Sequence, residues 1–138
     1  MVPVLDETMN GWLRDLLGRH AAVAGTVHVV KDGVLAIAAA HNIPPKVQEI
    51  TASIPIGKGM AGLAWQNDRA IQTCNLKEDS AGAVKPGAKA VDARAAVALP
   101  VHDTSGGVRA VVGLAWMDER VLDDATLAAI ANDAASLP

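Results

Sequence analysis

The side chains able to do chemistry in this chain are few and scattered. Cys74 is the sole thiol, and His20, His28, His41 and His102 fall without the short paired spacings by which zinc ligands close on a metal. A thiolate nucleophile needs a base beside it, and the sequence sets no histidine next to Cys74, which reads as a packed, inert thiol. Ser53, Ser80, Ser105 and Ser136 stand outside any nucleophile-elbow pattern. The run Gly57-Lys58-Gly59-Met60-Ala61-Gly62 matches G-x-G-x-x-G, but a dinucleotide site needs a hydrophobic strand directly before it, and Pro55 spoils that strand. The run is read instead as a tight glycine turn into a short helix. Trp116 and Asp118 share the strand parity of Val112 and Leu114. That parity serves either a pocket into which both point or an indole packed in the core beside a solvated strand end.

The rest of the composition bounds what these residues can belong to. With 138 residues, 51% apolar and 20% charged, the chain suits one globular domain spanning 1–138. Trp12, Trp65 and Trp116 are its only aromatic residues, so the core is built from aliphatic side chains and alanine. A net charge of −3 and a pI near 5.7 give no basic face for phosphates and few rings for stacked bases, which argues against nucleic acid. The longest uncharged run, Gly33 to Pro45, is well short of the roughly 20 apolar residues of a membrane helix. A single cysteine and no secretory leader pattern set a reducing cytoplasm as the expected compartment.

The elements that must position these groups follow from periodicity. Leu5, Met9, Trp12, Leu13, Leu16 and Leu17 form one stripe of a helix predicted from about Pro3 to His20. Thr26 to Lys31 and Val34 to His41 read as strands joined by an Asp32-Gly33 turn. In the second of these, Leu35, Ile37 and Ala39 alternate with Val34, Ala36, Ala38 and Ala40, and the small face suits a helix packed on the sheet. Pro44-Pro45 ends that strand, a short helix is expected from Met60 to Asn67, and Ile71 to Leu76 reads as a third strand. Lys77 to Asp92, rich in alanine, glycine and charge, reads as a long binding loop or lid. Ala93 to His102 and Val108 to Met117 form a second hairpin around Asp103 to Gly107. A last helix starts from a cap at Asp123, with Leu122 placed to staple onto Leu127.

Ile54 to Gly62, then Arg94 to Val101 with Pro100 near its end, then Val111-Val112-Gly113-Leu114-Ala115 together resemble the signature of GAF domains, over almost the whole chain. The resemblance implies an α+β, profilin-like antiparallel sheet of about five to six strands. Terminal helices would pack on one face, with the long loop and short helix on the other. It also implies a small-molecule pocket between sheet and loop, and dimerisation through the terminal helices. The family's best-known cofactors do not fit. Cyclic-nucleotide-binding members carry an Asn-Lys-Phe-Asp-Glu set and this chain has no Phe; Cys74 precedes Asn75 where bilin attachment commonly has a following His; Lys77 to Asp92 holds no histidine for haem. No resident cofactor is expected.

Among enzymes the chain looks most like the free methionine-(R)-sulfoxide reductases. By that resemblance their three cysteines would fall near Thr51, at Ala61 and near Lys89, and none is present. Of the substrate carboxylates, Ala96 and Trp116 replace two and Asp118 matches one. Sulfoxide reduction needs a second thiol to resolve the first product, so Cys74 alone cannot sustain turnover. The reading that results is a non-catalytic, ligand-binding sensor domain of bacterial signalling, paired as a homodimer, with Trp65, Cys74, Asp92, Trp116 and Asp118 lining or gating its pocket. Two alternatives stand beside it: an interaction module without ligand, partnered by a kinase, phosphatase or transcription regulator, and a degenerate reductase.

Overall fold

Two tight hairpins lay down the centre of the sheet. In the first, Asp32 and Gly33 both take positive φ, 52° and 80°, the conformation in which a two-residue turn matches the twist of the strands it joins. In the second, the Asp103 Oδ1 accepts from the backbone N–H of Ser105 at 2.9 Å and of Gly107 at 3.1 Å, which organises the loop, and Gly106 supplies a φ of 89°. The computed structural model describes residues 3–73 and 94–138. Along them run α1 (Glu7–Arg19), β1 (Ala24–Lys31), β2 (Val34–His41), α2 (Pro45–Ile50), β3 (Ser53–Ile54), α3 (Gly59–Asn67), β4 (Ile71–Thr73), β5 (Ala95–His102), β6 (Val108–Trp116) and α4 (Asp124–Ala134). Strands β1 and β6 pair antiparallel and bring the hairpins together, giving one six-stranded sheet in the order β3-β2-β1-β6-β5-β4, antiparallel at every seam.

The sheet divides the protein into two unlike halves. On one face Val27, Val97, Leu99, Val112, Leu114 and Trp116 pack against Leu13, Leu16 and Leu17 of α1 and Ile130 and Ala134 of α4, forming the main core. On the other face the alternate positions of the same strands are Ala24, Ala96, Ala98 and Ala115, joined by Ile43, Met60, Ala64, Leu35 and Val111. The expected arrangement of terminal helices on one face and the short helix on the other is what the structure shows.

Several boundaries differ from expectation, each for an identifiable reason. Helix α1 begins at Glu7 rather than near Pro3 because Asp6 caps it, its Oδ1 accepting from the Met9 N–H at 2.9 Å. Helix α2 was not expected, since Pro44-Pro45 reads as a breaker; a proline in the first helical turn has a suitable φ and lacks only an N–H the turn does not need. Strand β3 is two residues long, too short for any periodicity, and is held only by pairing with Leu35 and Ala36. In β2 the register jumps between Val27↔Ala39 and His28↔Ile37, so Ala38 is bulged and the strict alternation of Leu35, Ile37 and Ala39 fails. Leu35 joins the small-residue face while Ala39 joins the core beneath α1. The bulge is capped from the helix: the Asn10 side chain accepts from the Ala40 N–H at 2.9 Å, and the Asp6 N–H donates to the Ala38 carbonyl at 2.7 Å. The residues after Thr73 in the expected third strand, and the expected loop at 77–92, lie outside the described residues.

Helix α4 starts as expected, with the Asp123 Oδ1 accepting from the Thr126 N–H at 2.8 Å, and Leu122 and Leu127 both join the main core. Trp116 ends β6 inside that core at 1% exposure, and its Nε1–H donates to the His20 carbonyl at 2.9 Å, closing off the end of α1. His20 in turn contacts Asp133 of α4 at 2.8 Å, so one indole ties β6 to both terminal helices. Trp116→Ala is expected to cost about 3–5 kcal/mol of unfolding free energy. Trp116→Phe, which keeps most of the ring but loses the donor, is expected to cost about 1–3 kcal/mol, mostly from the orphaned carbonyl. Urea unfolding followed by circular dichroism measures both, and equal losses for the two variants would contradict this account.

Candidate functional site

The small-residue face of the sheet does not close on itself. Ala96, Ala98, Gly113 and Ala115 leave a floor of methyl and backbone surface, and the elements above it, α2 and the N-terminal turn of α3, stand off from that floor. The result is a cavity of about 350 Å³ with walls from Ile43, Val47, Ile50, Ile54, Pro55 and Met60. Few polar side chains enter it: Thr26 and His28 from β1, Thr51 and Ser53 around β3, and Lys58 at the start of α3. A mostly apolar hollow with a handful of polar groups is the usual make-up of a small-molecule site.

The glycine motif shapes one wall of this hollow. Gly57 and Gly59 have φ of 82° and 63°, and a Cβ on Gly62 would lie 2.7 Å from the Pro55 carbonyl oxygen. The Gly57 N–H donates to the Gly62 carbonyl at 3.0 Å, closing the turn on itself. The three glycines are therefore explained by the sharp entry into α3. Lys58 precedes that helix with no side-chain cap, so the first amides of α3 and the Lys58 ammonium together make this wall the electropositive one.

His28 is the only buried polar or charged side chain among the described residues, at 3% exposure. Its Nε2 lies 2.8 Å from the Thr51 carbonyl oxygen. A carbonyl can only accept, so Nε2 carries the hydrogen. Burial pushes the imidazole below its ordinary value of 6.5, and the bond to Thr51, which favours the charged form, offsets this only in part. The ring is thus neutral near pH 7, and its Nδ1 is a bare acceptor with no hydrogen-bond partner among the described residues.

The residues singled out from the sequence are dispersed. Trp116 lies on the opposite side of the sheet from the cavity, in the core, which is the packing alternative its parity left open. Trp65 is half-buried on the cavity side but packs with Leu35, Ala64, Ala98 and Val111 rather than in the cavity wall. Asp118 is exposed and paired with Arg120, whose Nη2 donates to Oδ1 at 2.6 Å and whose guanidinium lies 5.0 Å from the centre of the Trp116 ring. That pairing holds the Asp118 carboxyl below the usual range and spends its charge away from the hollow. Cys74 and Asp92 lie outside the described residues. Thr51, Ala61 and Ala96, marked by the reductase resemblance, do line the cavity, with no thiol or carboxylate at any of the three. Sequence reading overlooked His28 because a lone histidine on a strand carries no spacing signal; its position between Val27 and Val29, which face the main core, was the available clue.

Among the described residues no cluster of histidine, cysteine and carboxylate side chains could hold a metal ion, and no helix is long and apolar enough to cross a membrane.

The histidine has a measurable signature. Because its folded pKa is depressed, the unfolded chain binds a proton that the folded chain refuses once pH falls below about 6.5, so stability is full above that value. It is expected to fall by up to about 1.4 kcal/mol per pH unit on descending toward the folded pKa. His28→Phe should flatten this component when urea unfolding of the two proteins is compared across pH. An unchanged pH profile in the variant would contradict a neutral buried ring.

Comparison with known proteins fits this architecture. A family model described as GAF domain matches residues 4–136. Among solved structures, the GAF domain of a phosphoenolpyruvate-protein phosphotransferase from Coxiella burnetii is 17% identical with a TM-score of 0.79, covering 98% of this chain and 80% of that one. A type II free methionine-R-sulfoxide reductase from Thermoplasma acidophilum is 16% identical with a TM-score of 0.72, covering 94% and 88%. The GAF domain of A. aeolicus nlh2, in an inactive state, is 19% identical with a TM-score of 0.67, covering 96% and 79%. At these identities the likeness speaks to the fold alone. Among curated proteins none is significantly similar in sequence. With a family match over nearly its whole length and a six-stranded antiparallel sheet flanked as in these neighbours, the chain belongs to the GAF domain family.

Proposed function

We propose that this domain is a non-catalytic receptor for a small, largely apolar molecule, serving a regulatory role in signalling. The observation that carries the reading is the cavity of about 350 Å³ over the alanine and glycine floor of the sheet, a volume suited to a compact metabolite. The regulatory reading is supported by the likeness to GAF domains of two phosphoenolpyruvate-protein phosphotransferases. The reductase alternative is disfavoured by chemistry: the cavity positions Thr51 and Ala61 offer a hydroxyl and a methyl where a thiolate and a resolving thiol would be needed. Cys74, the one thiol in the chain, has no second cysteine to resolve it. In keeping with this, the protein is expected to show no turnover of methionine sulfoxide with a thiol reductant.

A ligand that binds only the folded chain stabilises it by about 2.7 kcal/mol at a concentration of about 100 times its Kd. A thermal-shift screen over small amphiphilic metabolites should therefore find compounds that raise Tm by several degrees. Ala96→Leu, at a half-buried floor position beside Ala115 and Met60, puts a larger side chain into the hollow without touching the main core. It is expected to keep the unliganded Tm and abolish the shift. A screen with no responders, or responders indifferent to Ala96→Leu, would count against the cavity as the binding site.

A further inference from the structure

Thr26 stands on the floor of the cavity. On β1 it shares the parity of Ala24 and His28, and it pairs in register with Gly113 of β6, which pairs in turn with Ala98 of β5. Its hydroxyl lies beside the bare glycine: a Cβ on Gly113, pointing to the same face as those of Val111 and Ala115, would meet Thr26 Oγ1 at 3.1 Å. Thr26, Gly113 and Ala98 all line the cavity, so the hydroxyl is left uncovered by the missing side chain at 113. Thr26 is half-buried, and its Oγ1, unlike Nδ1 of His28, is not enclosed. It has no hydrogen-bond partner among the described residues. The other uncharged polar side chains of the lining differ: His28 is tied to the Thr51 carbonyl at 2.8 Å, the Thr51 hydroxyl to the Val47 carbonyl at 2.8 Å, and Ser53 is exposed. The fold makes no use of the Thr26 hydroxyl. Valine has the same branched shape and a similar preference for strands, and would serve the sheet as well.

We infer that Thr26 is the specificity-determining residue of this cavity: its hydroxyl hydrogen-bonds a neutral oxygen, of a carbonyl or an alcohol, on an otherwise aliphatic ligand lying over Gly113 and Ala98. This rests on the receptor reading above and narrows its ligand class. A hydroxyl both donates and accepts, so either kind of oxygen satisfies it. The surroundings limit the charge of the group it meets. A carboxylate brought to the floor would leave water for methyl and backbone surface, since Lys58, the one charged side chain of the lining among the described residues, is exposed at the start of α3. An ammonium would find no carboxylate side chain among the described residues of the lining. A hydrocarbon of the same shape fills the hollow but leaves the hydroxyl without a partner once water is displaced from it.

Cyclohexanone and methylenecyclohexane test this, since they share ring and shape and differ in C=O against C=CH2. Each is titrated calorimetrically into the wild-type protein and into Thr26→Val, which removes the hydroxyl, keeps the side-chain shape and is expected to leave the unliganded Tm unchanged. The substitution is expected to weaken cyclohexanone by about three- to tenfold, the equivalent of one hydrogen bond, and to leave methylenecyclohexane unaffected. Thr26→Ser, which retains the hydroxyl, should keep the wild-type preference for the ketone over what Thr26→Val shows. Thr26→Ala provides the same comparison as the valine variant if that one folds poorly. Binding of both probes with affinities that Thr26→Val leaves unchanged, or weakens equally, would overturn the role of the hydroxyl while leaving the cavity a receptor. Binding of neither probe to the wild-type protein would remove the receptor reading and the role of Thr26 with it.

Discussion

Everything in this domain depends on a sheet that is buried on both faces and built with unequal side chains on the two. Strands β5 and β6 alternate large against small. Val97, Leu99, Val112, Leu114 and Trp116 turn to the terminal helices, and Ala96, Ala98, Gly113 and Ala115 turn the other way. The large set interdigitates with α1 and α4 into a filled core, which is where stability comes from. The small set cannot fill the space beneath α2 and α3, and the unfilled part is the cavity. Stability and binding capacity are thus assigned to opposite sides of one set of strands by the two-residue period of the backbone.

That division explains how a polar group can persist in the interior. His28 lies on the small-residue side, paired in register with Val111 of β6, where its ring displaces no leucine from the main core. The Thr51 carbonyl takes one nitrogen, and burial keeps the other unprotonated. On the helix side the polar contacts do different work. Gln72 of β4 forms a two-way bond with the Leu122 backbone, donating at 3.1 Å and accepting at 3.0 Å, and so ties the segment leading to α4 onto the sheet edge. Trp116 and His20 then lock α1 to the same region. These bonds complete the core; they leave the cavity untouched.

The candidate site was less legible than the fold. Trp116 and Asp118 do share a strand parity, but parity says only that two residues face one way, and the face they take is the one covered by α1 and α4. Trp65 sits on the correct side of the sheet and still packs away from the hollow, with Leu35, Ala64, Ala98 and Val111. His28 was missed because a single histidine has no pattern; its meaning comes from Thr51, which is distant by 23 positions in the chain and 2.8 Å in space.

The sequence by itself determined what depends on neighbours along the chain: the α1 stripe, the Asp32-Gly33 and Asp103 to Gly107 turns with the two hairpins they close, the Asp123 cap and the glycine entry to α3. Each of these is decided within a few residues by φ preference, capping or hydrophobic period. Only the tertiary structure decided the bulge at Ala38, the two-residue β3, and which face of the sheet would be filled and which left hollow. Those features arise from packing between segments far apart in sequence, where the stable arrangement is the one that fills the most volume overall, and no local pattern encodes that sum.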